Sequence, residues 1–303
     1  MEMNSTLFAD LVEPILSKKF DGLYNSMKPE WSQIFTQEEG MKARFQETTL
    51  MFGFGLAREK PEGTTIESDQ AGISYRVRMV FATYALSFAI TEEMMEDSRD
   101  IDIASTCSQY LAKSMFETRE IVHADVLNRS EDSSYLLGDG QTLLSASHPL
   151  GIGGTWSNKL ASPADLSEAS LEDLPTMLSK AVDDRGNKIP LAAEDLIVPP
   201  DLWFDSIRIL RSTLQAGTAN NDPNAIRSTS ALPNTPIKIT RLTEESGYWI
   251  KTNSPNGLMS YRRRGIKKGM EGDFSTGNMR YKSSERYTCG VENPRCLWGS
   301  LGI

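Results

Sequence analysis

Hydrophobic and polar positions alternate along one stretch of this chain and recur every three or four residues along the next. Between residues 73 and 90, Ile73, Tyr75, Val77, Met79 and Phe81 alternate with Ser74, Arg76 and Arg78, and the pattern continues more loosely through Tyr84, Leu86, Phe88 and Ile90. A period of two is that of a strand with one buried face. An earlier apolar run, residues 48–56, is separated from it by Arg58-Glu59-Lys60-Pro61-Glu62-Gly63, a charged segment with turn formers. Together they predict a long hairpin over residues 46–90 with a charged tip. A second strand of that length spans roughly 60 Å. Hairpins are marginal in water on their own, and their edges invite pairing. This one is therefore expected to be held by another subunit.

From Thr91 the period changes. Thr91 suits an N-cap, and Glu92, Glu93 and Glu96 suit the positive end of a helix. Ala104, Cys107, Leu111, Met115, Thr118, Val122 and Val126 then step by three or four, which predicts a helix over residues 91–128, about 55 Å long if the acidic stretch 97–102 does not interrupt it. After Gly138-Asp139-Gly140 the chain reads as short α/β alternation. Leu171, Leu174, Leu178 and Val182 form a helical face with Ser170 and Asp173 as a capping pair. A strand at 195–198 ends at Pro199-Pro200, and Trp203, Ile207, Leu210 and Leu214 form a helix that Gly217 could cap. Strands are expected at 237–242, 248–252 and 258–261, with a last one from about 279 to 289. Ahead of the hairpin, Leu7, Leu11 and Ile15 share a helical face, and Pro14 is expected to limit that helix. Trp31, Ile34 and Phe35 follow. Residues 1–45 hold too little apolar area to fold alone, so they are expected to lie along another surface.

Composition narrows the function. The net charge is −9 over 303 residues, which argues against a protein built to grip a phosphate backbone. The charge is uneven: residues 261–296 hold nine basic side chains, including Arg262, Arg263 and Arg264, against four acidic ones. Patches of opposite sign on one chain attract copies of it, while a solvated basic loop gives the same composition. No apolar run is long enough to span a membrane, and the first residues lack the basic start and apolar core of a secretory signal. Three cysteines are too few and odd in number for a disulfide framework, as in a reducing compartment.

Candidate chemistry is sparse. His123 and His148 are the sole histidines, and Cys289 and Cys296 have none near them in sequence, so no metal site is expected. Gly151-Ile152-Gly153-Gly154-Thr155-Trp156 has Trp where a dinucleotide fingerprint needs its third glycine, and no nucleophile elbow or phosphate-binding loop occurs. No cofactor is expected. Paired carboxylates carry no weight, because 41 acidic residues guarantee chance pairs.

The order of elements, an N-terminal arm, long hairpin, long helix, α/β insertion and final strand, resembles the major capsid proteins of tailed bacteriophages with the Hong Kong 97-type shell fold. Local motifs place the resemblance near the Mu-like major head subunits. They are Asp139-Gly140-Gln141-Thr142-Leu143-Leu144-Ser145-Ala146-Ser147-His148-Pro149 with Asn158, Leu196-Ile197-Val198-Pro199-Pro200-Asp201-Leu202, Gln215-Ala216-Gly217-Thr218-Ala219-Asn220-Asn221-Asp222-Pro223-Asn224, and Arg286-Tyr287-Thr288-Cys289-Gly290 with Asn293-Pro294-Arg295. Asn293 and Cys296 stand where Asp and Gly are common in that group. In this family the proline and histidine motifs are architectural.

The resemblance implies an α+β chain divided into an N-terminal arm (1–45), an extended hairpin or E-loop (46–90), a spine helix with the peripheral domain (91–140), an axial domain (141–275) and a return strand of the peripheral domain (276–303). It implies a non-enzymatic head protein forming hexamers and pentamers of an icosahedral shell around packaged double-stranded DNA, without sequence-specific binding. Assembly is expected in the bacterial host cytoplasm, with the virion capsid as destination. A portal protein and decoration proteins are expected partners. Residues 1–40, interrupted by Pro14 and Pro29, are too short for a built-in coiled-coil scaffold, so a separate scaffolding protein is expected, or one already cleaved if Met1 is not the true start. Lys60 could serve the family's isopeptide chemistry, but nothing identifies its partners, so no covalent cross-link is expected. Expected subunit contacts are Trp31, Ile34 and Phe35 on the arm; Arg58, Glu59, Lys60, Glu62, Arg76 and Arg78 on the hairpin; and Arg262, Arg263 and Arg264. The alternatives are an encapsulin-like cellular nanocompartment shell and a soluble enzyme.

Overall fold

The computed structural model describes residues 5–91, 100–215, 222–272 and 278–302. Among them, helices α1 (Ser5–Ser26), α2 (Asp100–Asn128), α3 (Glu168–Ser179), α4 (Trp203–Arg211) and α5 (Ala225–Thr229) alternate with twelve strands. The strands are β1 (Thr36–Glu39), β2 (Phe45–Phe52), β3 (Gly72–Val80), β4 (Ala82–Ile90), β5 (His148–Pro149), β6 (Thr155–Trp156), β7 (Ala193–Val198), β8 (Ile237–Lys238), β9 (Tyr248–Thr252), β10 (Leu258–Gly272), β11 (Met279–Val291) and β12 (Leu297–Ser300). One sheet has the order β1-β10-β11-β4, a second β12-β9-β7-β8, and β2 pairs with β3 in a separate ladder. Glu92, Glu93 and Glu96, expected to form the first turn after a Thr91 cap, and the expected cap Gly217 lie outside the described residues.

Two helices cover one face of the first sheet. Leu16 and Phe20 of α1 are buried with Ala104, Leu111, Ala112 and Met115 of α2 and with Ile90 and Tyr281 of the sheet. Ser108 donates to the Leu16 carbonyl at 2.8 Å. Pro14 therefore does not end the first helix, which continues to Ser26. An interior proline costs about 3 kcal/mol, and two buried large side chains contribute roughly 1.5–3 kcal/mol each. Ile15, placed on the buried face by periodicity, is instead exposed.

The run from 73 to 90 is two strands, not one. It breaks at Phe81, which is buried with Val77, Met79, Met259 and Tyr261. β3 pairs with β2, whereas β4 pairs with β11 in the helix-backed sheet. The paired hairpin is thus about 30 Å long, with residues 53–71 beyond it as a strandless tip. β10 extends to Gly272 rather than Tyr261 and pairs along its length with β11. The helix-backed sheet therefore takes in residues that the sequence assigned to the axial unit. Helix α3 starts one turn earlier than expected, at a reciprocal cap between Ser167 and Ser170. It packs with α4 and α5 on the second sheet around Leu196, Val198, Tyr248, Ile250 and Trp298.

Candidate assembly surfaces

The base of the hairpin is fixed by polar contacts. Arg78 and Arg76 both face Glu47 across the β2–β3 ladder, at 2.8 and 3.9 Å, and Arg78 lies over the Phe45 ring. Glu292, buried at the end of β11, accepts from Thr48 Oγ1 at 2.6 Å and Tyr261 Oη at 2.5 Å, and its carbonyl accepts from Tyr75. Burial, then the bond to the Glu292 carboxylate, pushes the Tyr261 hydroxyl above its usual range. A Cβ on Gly138 would meet the Arg76 carbonyl at 2.7 Å, so only glycine lets the 138–140 loop pass this close to β3.

The tip is different. Phe54, Leu56 and Ile66 are 64%, 82% and 81% exposed. Glu59, Lys60 and Glu62 are exposed and make no ion pair among the described residues, while Arg58 meets Glu67 at 3.2 Å in full solvent, a contact worth little. Arg185, from the turn after α3, holds the tip's root. It donates to the carbonyls of Gly53 and Gln70, pairs with Asp69 at 3.1 Å and covers the Phe52 ring. Residues 53–71 carry two basic and four acidic side chains.

The second unpartnered surface is the open face of the helix-backed sheet. On β11, Met279, Tyr281, Ser283, Glu285 and Tyr287 point to the helices and are buried. Arg280, Lys282, Ser284 and Arg286 therefore point the other way. Their cross-strand neighbours on β4 are the small residues Ala89, Ser87, Ala85 and Thr83, and on β10 they are Glu271, Gly269, Lys267 and Arg264, with Glu271 opposite Arg280. Arg264 bonds Ser284 Oγ at 2.9 Å, and none of these five cations makes an ion pair among the described residues. Arg263 makes none either, whereas Arg262 is engaged by Glu39. Sequence reasoning counted Arg280, Lys282 and Arg286 in the basic stretch 261–296 but singled out only Arg262–Arg264 as contacts, because only the strand register shows which cations share a face.

Trp31, Ile34 and Phe35 require a correction. They are buried in the subunit's own core with Ala124, Leu127, Leu144 and Trp249, so they are not available to a neighbour. The docking has a visible cause: the Glu120 carboxylate on α2 accepts the backbone N–H groups of Glu30 at 2.9 Å and Trp31 at 3.3 Å. Trp31 then stacks on His123, whose ring is buried between α2 and β10. Beside it Arg119 pairs with Glu285. Desolvation raises the Glu285 carboxyl despite that pairing.

The motifs after residue 138 converge on a buried node. His148 Nδ1 donates to Asp139 at 2.6 Å, and its Nε2 lies 3.2 Å from the Asn158 side-chain oxygen. Asn158 also accepts the Ser145 N–H and donates to the carbonyls of Leu143 and Leu297, joining the 139–158 segment to the C-terminal strand. Arg295 ties the same region to Asp184 at 2.7 Å and covers the Trp156 ring. Burial pushes the thiols of Cys289 and Cys296 up to about 12, which leaves them unreactive. Among the described residues, no cluster of His, Cys, Asp or Glu could hold a metal, and no helix is long and apolar enough to cross a membrane.

This arrangement, a helix-backed sheet with a protruding hairpin and a second α/β unit, is that of the Hong Kong 97-type shell proteins. The capsid of Cyanophage P-SCSP1u is similar, with a TM-score of 0.57 at 10% identity over 89% of this chain and 86% of that one. Microbacterium phage Oxtober96 gives 0.56 at 10% identity, over 91% and 92%. A virus-like particle from Pyrococcus furiosus gives 0.51 at 13% identity, over 95% and 98%. No curated protein sequence matches the chain. The phage capsid protein family matches residues 74–299, and the chain belongs to it. It is a structural major capsid protein of the virion and not an enzyme, and its family does not favour the nanocompartment alternative.

Proposed function

We propose that copies of this chain form hexamers and pentamers and close into an icosahedral shell that encloses packaged double-stranded DNA. The observation that supports this most directly is the pair of unlike surfaces left open on one subunit. One is a net-acidic hairpin tip with three exposed apolar side chains; the other is a mainly cationic sheet face beside a row of small residues. Two different complementary surfaces make a heterologous contact, which propagates and closes into rings. The tip of one copy, including Arg58, Glu59, Lys60 and Glu62, then meets the open face of the next, including Arg263 and Arg264. Arg76, Arg78 and Arg262 act from within the subunit, by stiffening the hairpin base and the sheet edge.

We keep the division into arm, hairpin, spine helix, axial domain and return strand with four amendments: α1 and residues 31–35 pack into the subunit, β4 leaves the hairpin for the peripheral sheet, β10 joins that sheet, and β12 pairs in the axial sheet. A separate scaffolding protein, a portal and decoration proteins complete the particle, which assembles in the bacterial host cytoplasm. The test is sedimentation and electron microscopy of the purified chain over a concentration series, with and without a scaffolding protein. Closed shells are expected; monomer under every condition would overturn the proposal.

A further inference from the structure

The geometry points to Arg185 as a latch that sets the direction in which the hairpin tip is presented. This rests on the shell reading above only for what the tip meets. Beyond the last ladder pair, Phe52 with Gly72, no strand supports residues 53–71. One side chain from outside the hairpin bridges its two legs at that point. The Arg185 guanidinium reaches the Gly53 carbonyl on the outgoing leg and both the Gln70 carbonyl and the Asp69 carboxylate on the returning leg, and it lies 5.0 Å from the centre of the Phe52 ring.

Asp69 is organised for this. Its two oxygens accept the N–H groups of Gly55 at 2.7 Å and Gln70 at 2.8 Å, and these bonds, with the Arg185 charge, hold its carboxyl below the usual range. Arg185 is itself placed by a tight turn, in which Asp183 accepts the backbone N–H groups of Arg185 and Asn187, and Gly186 has a φ of +80°. A guanidinium offers several donors in one plane and serves three acceptors at once, which a lysine ammonium does less well. The tip's apolar side chains add nothing to its own fixation, since Phe54, Leu56 and Ile66 are exposed. Fixing the tip before contact removes ordering cost from association.

The test compares wild type with Arg185→Gln and Arg185→Lys. Hydrogen exchange of the unassembled subunit is the first readout. Residues 53–71 should exchange about tenfold faster in Arg185→Gln and to an intermediate degree in Arg185→Lys, with β2 and β3 unchanged. Unaltered tip exchange in Arg185→Gln overturns the latch, whatever the oligomeric state. The second readout is the threshold concentration for assembly, which should rise severalfold in Arg185→Gln at unchanged melting temperature. Faster tip exchange with an unchanged threshold overturns its role in presentation. A wild type that never assembles overturns the shell reading and the presentation role together, while exchange still decides the latch.

Discussion

Arg119 on α2 and Glu285 on β11 form an ion pair at 3.1 Å with side chains 7% and 1% exposed, between the long helix and the sheet it covers. Arg119 also lies over the rings of Trp31 and Tyr287, so one guanidinium joins helix, N-terminal segment and strand. Removing one member of a buried pair leaves the other charge uncompensated, at a typical cost of about 3–5 kcal/mol. Arg119→Met should therefore destabilise the subunit by that order in urea unfolding. The double variant Arg119→Met with Glu285→Leu should recover most of the loss. A double variant no better than the single would show that stacking on Trp31 and Tyr287, not the charge pair, carries the stability.

His123 predicts an acid-sensitive subunit. Burial lowers its pKa to about 3, the neighbouring Arg119 charge adds to the lowering, and the bond from Nδ1 to the Arg119 carbonyl opposes it only in part; Nε2 accepts from Ser260. The unfolded chain takes up this proton near pH 6.5 and the folded one does not. Stability from this group is thus full above about pH 6.5 and falls by up to about 1.4 kcal/mol per pH unit down to about pH 3. The raised carboxyls of Glu285 and Glu120 act in the opposite sense, favouring the folded state as pH falls. The comparison is therefore wild type against His123→Phe with Ser260→Ala, by urea unfolding at pH 7 and pH 5. The wild type should lose more stability between the two; equal losses would assign the acid response elsewhere.

Packing Trp31 inside the subunit changes what its loss should do. Trp→Ala in a core costs about 3–5 kcal/mol, and a chain lacking residues 2–35 also forfeits Leu16 and Phe20. Trp31→Ala should lower the melting temperature of the isolated subunit, and the deletion should fail to fold by circular dichroism. A folded, stable deletion that merely assembles poorly would return residues 1–35 to the role of a free arm.

Much of the frame was legible because it is local. The hairpin strands, the 3.6-residue period of α2, and strands β7, β9 and β11 follow from patterns within a few residues of one another. The misses share a different cause. Helix α1 passes Pro14 because Leu16 and Phe20 find partners on α2, ninety residues on. The 73–90 run breaks at Phe81 because two sheets compete for it. β10 escapes the pattern because two register shifts interrupt its alternation and its open face is cationic. Arg185 with Asp69, and Arg119 with Glu285, are 116 and 166 residues apart, and no sequence signal pairs them. The motif residues Asp139, His148 and Asn158 were visible as a group, but the buried node they form was not.

The open cationic face gives the last prediction. Arg280 and Lys282 lie two residues apart on β11, exposed, between Ala89 and Ser87 of β4 and Glu271 and Gly269 of β10, and neither makes an ion pair among the described residues. Surface substitutions away from packing and ion pairs change stability by about 0.5 kcal/mol or less. Arg280→Glu with Lys282→Glu should therefore lower the stability of the subunit only slightly, by about 0.2–1 kcal/mol for the carboxylate it sets opposite Glu271. If a net-acidic surface of a second copy docks here, the reversal replaces attraction with repulsion, and like charges placed across an interface suppress association. The threshold concentration for assembly should rise at least tenfold. Salt supplies an independent check, since exposed charges are screened over about 10 Å at 0.1 M and about 3 Å at 1 M. Raising salt over that range should weaken assembly of the wild type and narrow the gap to the variant. Equal thresholds at low salt would show that this face is not where copies meet.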